Sequence, residues 1–170
     1  MVVLEVALLN QSFTTLFVVK EIDLIHYRIT NLQQLHLERF TELKKLSFRQ
    51  NLIGEIECLH DGLAKLEELD FYDNRLSKIE NLESLKGLLK LDLSFNNIRV
   101  IENVHQLKEL KEVYFVANKL SSINNLDALT NLTTLELGAN RIKVEQNCCI
   151  RLKSILNGPG NCRNWKTWMH

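Results

Sequence analysis

The chain has 170 residues, with 21 basic and 21 acidic side chains, so its formal charge cancels. This length fits one domain, and 45% apolar residues is enough to bury a core, which excludes wholesale disorder. Zero net charge argues against binding nucleic acid or an anionic membrane by bulk charge. The unusual counts are 32 Leu and 17 Asn against a single Pro.

Residues 1–20, MVVLEVALLNQSFTTLFVVK, form the first element, a non-repeat lead-in. A signal peptide is disfavoured because no basic n-region opens it and Glu5 and Asn10-Gln11-Ser12 interrupt its apolar runs. No apolar run is long enough to span a membrane. The segment is expected to be an amphipathic cover for the first edge of the domain. The sequons Asn10-Gln11-Ser12 and Asn131-Leu132-Thr133 matter only in a secreted chain.

Repeats fill residues 21–142. LKKLSFRQNLI (43–53), LEELDFYDNRL (66–76), LLKLDLSFNNI (88–98), LKEVYFVANKL (110–120) and LTTLELGANRI (132–142) share one pattern, LxxLxLxxNxL. Their asparagines, Asn51, Asn74, Asn96, Asn118 and Asn140, are spaced by 23, 22, 22 and 22 residues. A degenerate copy, IDLIHYRI (22–29), opens the series with Tyr27 at the asparagine position. Apolar residues recur five and eight positions after Asn51, Asn74, Asn96 and Asn118, as at Ile79 and Leu82 or Ile101 and Val104. This period and pattern define a leucine-rich repeat. The predicted fold is an α/β right-handed solenoid, with a parallel sheet on its concave face and short helical turns on its convex face. One coil cannot bury its apolar face alone, so stacked coils share a continuous core. The asparagine sits where the chain leaves the strand, and its amide can both donate to and accept from backbone groups that the turn would leave unpaired.

Residues 143–170 carry no further repeat. Glu145 occupies an apolar position, 146–156 has the pattern of a short helix, and Gly158-Pro159-Gly160 marks a turn. Trp165 and Trp168 lie in a basic tail that is expected to be disordered or loosely packed. Residues 141–170 hold six basic residues and one acid, so the remaining 140 carry a net charge of −5. The overall neutrality is therefore a cancellation between an acidic repeat region and a basic tail.

No catalytic or cofactor chemistry is legible. Cys58, Cys148, Cys149 and Cys162 form no CxxC pair, and the five histidines show no ligand spacing. There is no phosphate-binding glycine loop, and no strand face combines aromatic and basic residues for stacking bases. Cofactors, metals, nucleic acid, membrane and small-molecule substrates are not expected, and the chain is not expected to be an enzyme.

A solenoid does offer a pre-formed concave surface. Strand alternation places Asp23, Ser47, Asp70, Asp92, Tyr114 and Glu136 in its central outward column. Lys45, Glu68, Lys90, Glu112 and Thr134 flank this column on one side, and Arg49, Tyr72, Ser94, Val116 and Gly138 on the other. Four carboxylates with no basic residue in the column suggest a docking strip for a positive patch on a folded partner, anchored by Tyr114. The blander explanation is a solvated sheet face. Phe71 and Phe95 are assigned to packing, with Phe95 half exposed at its turn.

Residues 21–142 resemble the leucine-rich repeat family of protein phosphatase 1 regulatory subunit 7. The phrases YDN, LSFN, IEN and LELGAN carry this resemblance, and IDLIHYRI and FRQNLI match the family's first two repeats in order. It implies binding to the catalytic subunit of protein phosphatase 1 through the concave face, and residence in nucleus and cytoplasm. Carried over by position, Asp92 and Glu136 match acidic contacts and Tyr114 stands where the family has Phe. Asp70 occupies the equivalent slot one repeat earlier. The family continues for about twice as many repeats, and the two flanking segments do not look like it. The chain therefore resembles a truncated or alternatively spliced form, or a gene model with misplaced exon boundaries. The alternatives are another intracellular leucine-rich repeat adaptor, or a truncated form that has lost its parent's function.

Overall fold

A computed structural model describes residues 19–59 and 61–143. The expectations for the lead-in, for the 146–156 helix and for the tryptophan tail lie outside these residues.

The strands are β1 (Glu21–Asp23), β2 (Lys45–Ser47), β3 (Glu68–Asp70), β4 (Lys90–Asp92), β5 (Glu112–Tyr114) and β6 (Thr134–Glu136). They form one parallel sheet in strict sequence order. Each crossover returns the chain to the next position, which is the right-handed connection that strand twist favours. In each strand the middle residue is buried and its two neighbours face outward, for example Leu91 between Lys90 and Asp92.

The core runs as parallel rows through the coils. One row is Ile22, Leu46, Leu69, Leu91, Val113 and Leu135, and a second contains Leu24, Phe48, Phe71, Leu93, Phe115 and Leu137; all are buried. The Phe48 and Phe71 rings stack at 5.2 Å between centroids, so bulky side chains of adjacent coils share one layer. The return segments bury Ile56, Ile79, Ile101 and Ile123 against the same core. Helical structure on the convex side is confined to three 3-10 turns among the described residues, at Gln33–Leu35, Leu37–Arg39 and Asp61–Leu63. In the later coils the return is shorter still, a turn closed by Leu85 N–H donating to Leu82 at 3.0 Å and by Leu107 N–H donating to Val104 at 3.0 Å.

The asparagine ladder holds the coils together. In Asn96, Nδ2 donates to the Leu93 carbonyl of its own coil (3.1 Å) and to the Phe71 carbonyl of the preceding coil (2.9 Å). Its Oδ1 accepts from Leu76 N–H at 2.9 Å. The same bonding recurs at Asn51, Asn74, Asn118 and Asn140. The residue before each ladder position is left-handed: His26, Gln50, Asp73, Phe95, Ala117 and Ala139 have φ between 53° and 64°. None of the six is glycine, so each turn holds a backbone conformation costing about 1 kcal/mol, offset at the five asparagine turns by the ladder bonds.

Candidate protein-docking surface

The expected central column exists. Strand register aligns Asp23 with Ser47, Asp70, Asp92, Tyr114 and Glu136 across the sheet. Asp70, Asp92, Tyr114 and Glu136 therefore lie on four successive strands, one strand spacing apart. Their environments differ.

Asp70 and Asp92 each serve the turn that follows their strand. Asp70 Oδ1 accepts from Tyr72 N–H at 2.8 Å, and Asp92 Oδ1 accepts from Ser94 N–H at 2.9 Å. This is the Asx-turn geometry, in which a short carboxylate bonds the backbone two residues ahead. Part of the acidity of the column is thus structural, a role that the spacing Asp-x-aromatic or Asp-x-Ser at the strand end already signalled. The Asp92 side chain is only 16% exposed, and burial pushes its carboxyl above the ordinary value, partly countered by the bonds from Ser94.

The column is not free of cations. Arg49 reaches in from the flanking row, with Nη1 at 2.9 Å from Asp70 Oδ2 and 3.9 Å from Asp92 Oδ2. The six column positions themselves hold no basic residue, as expected, but the flanking Arg49 reaches across to two of them. Strand alternation gives the direction of a side chain but not its reach, and arginine is long enough to cross between rows. The outward assignment of Ser94 is corrected. It is 3% exposed, and its N–H donates to Asp92 Oδ1 in the turn.

The other flank is self-compensated. Glu21, Lys45, Glu68, Lys90 and Glu112 alternate in sign along the sheet, with Lys45 Nζ at 3.0 Å from Glu68 and Lys90 Nζ at 3.4 Å from Glu112. Opposite charges on neighbouring strands support this register. Tyr114 leans onto this row: its hydroxyl donates to Glu112 Oε2 at 2.9 Å, and Lys90 Nζ lies 5.3 Å from its ring centroid. Burial and then the Glu112 bond push the Tyr114 phenol up to about 12. Glu136, on the last strand, is exposed.

An aromatic rim, unrecognised in the sequence, borders the column. Tyr72 and Phe95 pack with ring centroids 4.8 Å apart, and the Arg49 guanidinium lies 4.0 Å above the Tyr72 ring. Phe95 is 45% exposed, since the left-handed turn lifts its side chain out of the core. Tyr72 was placed in the flanking row and Phe95 was assigned to packing at its turn, but nothing in the spacing showed that the two rings would meet. The surface therefore combines carboxylate oxygens, an aromatic rim and a rail of alternating charge. Among the described residues no group of three or more His, Cys, Asp or Glu side chains could hold a metal ion. No described helix is long and apolar enough to cross a membrane.

Comparison with known proteins agrees with this architecture. The family model "Leucine Rich repeats (2 copies)" matches residues 41–87. The chain is 48% identical over 94 residues to Protein phosphatase 1 regulatory subunit SDS22 of Saccharomyces cerevisiae, covering 52% of this chain and 27% of that protein. It is 40% identical over 98 residues to the Protein phosphatase 1 regulatory inhibitor subunit PPP1R7 homolog of Arabidopsis thaliana, covering 53% of this chain and 30% of that protein. The matched stretch thus spans less than a third of the length of either relative. Among solved structures, internalin C2 of Listeria monocytogenes superposes with a TM-score of 0.71 at 23% identity, over 81% of this chain and 59% of that one, a likeness of fold alone. Over these stretches the chain is similar to leucine-rich repeat proteins, among them protein phosphatase 1 regulatory subunits.

Proposed function

We propose that the chain is a non-catalytic regulatory subunit or scaffold that docks the catalytic subunit of protein phosphatase 1 on its concave sheet, in nucleus and cytoplasm. The observation that carries this reading is the 48% identity over 94 residues to a phosphatase regulatory subunit. Asp92, Tyr114 and Glu136 are the contact residues, with Asp70 at the margin. Three features of the surface support their choice. They share one register line, the column is bordered by the Tyr72–Phe95 pair, and the neighbouring rail is partly paired through Lys45–Glu68 and Lys90–Glu112. A partner with a basic patch gains orientation and encounter rate from the carboxylates, and area from the aromatics.

Isothermal titration of phosphatase 1 catalytic subunit into the wild type and into Asp92→Ala/Tyr114→Ala/Glu136→Ala tests the assignment. Binding by the wild type that is lost in the triple variant is expected. Equal binding by both removes the site from these residues. No binding by a folded wild type, with a different partner recovered by affinity capture, would leave a leucine-rich repeat adaptor of another kind.

A further inference from the structure

The Arg49 guanidinium occupies a position with the chemistry of a binding site. Below it lie two carboxylate oxygens, Asp70 Oδ2 at 2.9 Å and Asp92 Oδ2 at 3.9 Å. Beside it lies the Tyr72 ring at 4.0 Å, backed by Phe95. A carboxylate pair with an adjacent aromatic face is what a planar guanidinium binds best, through charge-assisted hydrogen bonds and cation–π contact together. Because each aspartate commits Oδ1 to its own turn, Oδ2 is the atom left to receive a cation. The Arg49 side chain is 37% exposed and is anchored in none of the buried rows, so it can leave without disturbing the core.

We propose that Arg49 is an internal occupant of the docking strip: it holds the place that an arginine or lysine side chain of the partner takes, and it must be displaced for docking. The inference rests on the reading that the concave face docks a protein partner, and it adds how that site is regulated. The free protein presents a plugged strip, in which Arg49 competes with every incoming cation. The partner therefore exchanges one ion pair for another at this point. Only a partner that also covers Tyr72 and Phe95 gains enough contact to win the exchange. Weakly matched basic surfaces are rejected, which makes Arg49 a specificity device as well as a plug.

The test uses the full chain, with a labelled oligo-arginine peptide as one probe and phosphatase 1 catalytic subunit as the other. Arg49→Gln is expected to bind the peptide ~5-fold more tightly than wild type, the lower end of typical coupling because the site is partly solvated. Arg49→Lys, which keeps the charge but loses the planar stack, is expected to fall between them and guards against a folding defect in Arg49→Gln. Lys78→Gln removes the same charge from an exposed return segment and is expected to bind like wild type. Equal or weaker peptide binding by Arg49→Gln overturns the proposal, and so does an equal gain in Lys78→Gln. A gain with the peptide but no phosphatase binding by any variant upholds the plug and removes the phosphatase reading. Phosphatase binding with no peptide gain does the reverse.

Discussion

Leu76 N–H donates to Asn96 Oδ1 across 2.9 Å, although the two residues are 20 apart in sequence and lie in different coils. This bond, with the Nδ2 bonds to Phe71 and Leu93, makes Asn96 a bridge between consecutive turns of the solenoid. Asn96→Ala strands one donor, Leu76 N–H, and three acceptors, the Phe71, Leu93 and Ser94 carbonyls, in a buried site. It is expected to cost about 3 kcal/mol in urea denaturation. Asn96→Asp keeps the acceptor but cannot donate, and should be nearly as damaging. Asn140, part-exposed in the last described coil, should cost only about 1 kcal/mol as alanine, because water can reach its partners. Equal losses at the two positions would contradict the ladder account.

A second asparagine row lies on the return side. Asn81, Asn103 and Asn125 are left-handed, with φ of 57°, 57° and 62°, and donate to Ile56, Ile79 and Ile101 carbonyls of the preceding coil at 2.6–2.7 Å. Asparagine suits these sites because it tolerates this backbone and supplies the inter-coil donor. Asn103→Ala loses both advantages and is expected to destabilise by about 1.5 kcal/mol, whereas Asn103→Gly loses only the bond and should cost less. Cys58 stands at the same place in its coil with φ of 58°. Cys58→Asn should therefore stabilise by about 0.5 kcal/mol, read as a shift of the thermal midpoint. A fall in midpoint would sink the equivalence.

Asp92 sets an acid-side signature. Burial holds its carboxyl above the ordinary value of 3.8, so the folded chain binds this proton more tightly than the unfolded chain does. The stabilisation from this proton is complete below the unfolded value and disappears as pH rises through the folded one. The stability of the wild type relative to Asp92→Asn should accordingly fall with rising pH across that window and then level off. Urea midpoints of both proteins over a pH series would show it. A difference that rises with pH means that the bonds from Ser94 and Arg49 outweigh burial.

Tyr114 sets the alkaline counterpart. With its phenol at about 12 against an ordinary 10.0, the folded state retains a proton that the unfolded state has lost. The added stability is full below the unfolded value and is lost on the way up to about 12. Ultraviolet titration should show one tyrosine ionising late, and Tyr114→Phe should abolish that late phase. A late phase that survives the substitution would assign it to another of the three tyrosines.

The sequence by itself determined the repeat, the strand register and the central column. These follow from periodicity: a side chain's face is fixed by its place in a strand, and the asparagine spacing fixes which strand meets which. It also showed the acidity of the repeat region once the basic tail was separated from it. Only the tertiary structure decided what surrounds the column and which of its carboxylates are engaged. Arg49 and Asp92 are 43 residues apart in sequence and three strands are involved in their meeting, so no local pattern could pair them. The Tyr72–Phe95 rim depends on the lateral stacking of adjacent coils and on a left-handed turn at Phe95 that no glycine announces. Ser94, outward by strand alternation, is buried once the coils have stacked. Periodicity encodes the direction of a side chain, whereas contact depends on reach, bulk and neighbouring coils, and those exist only after the coils have stacked.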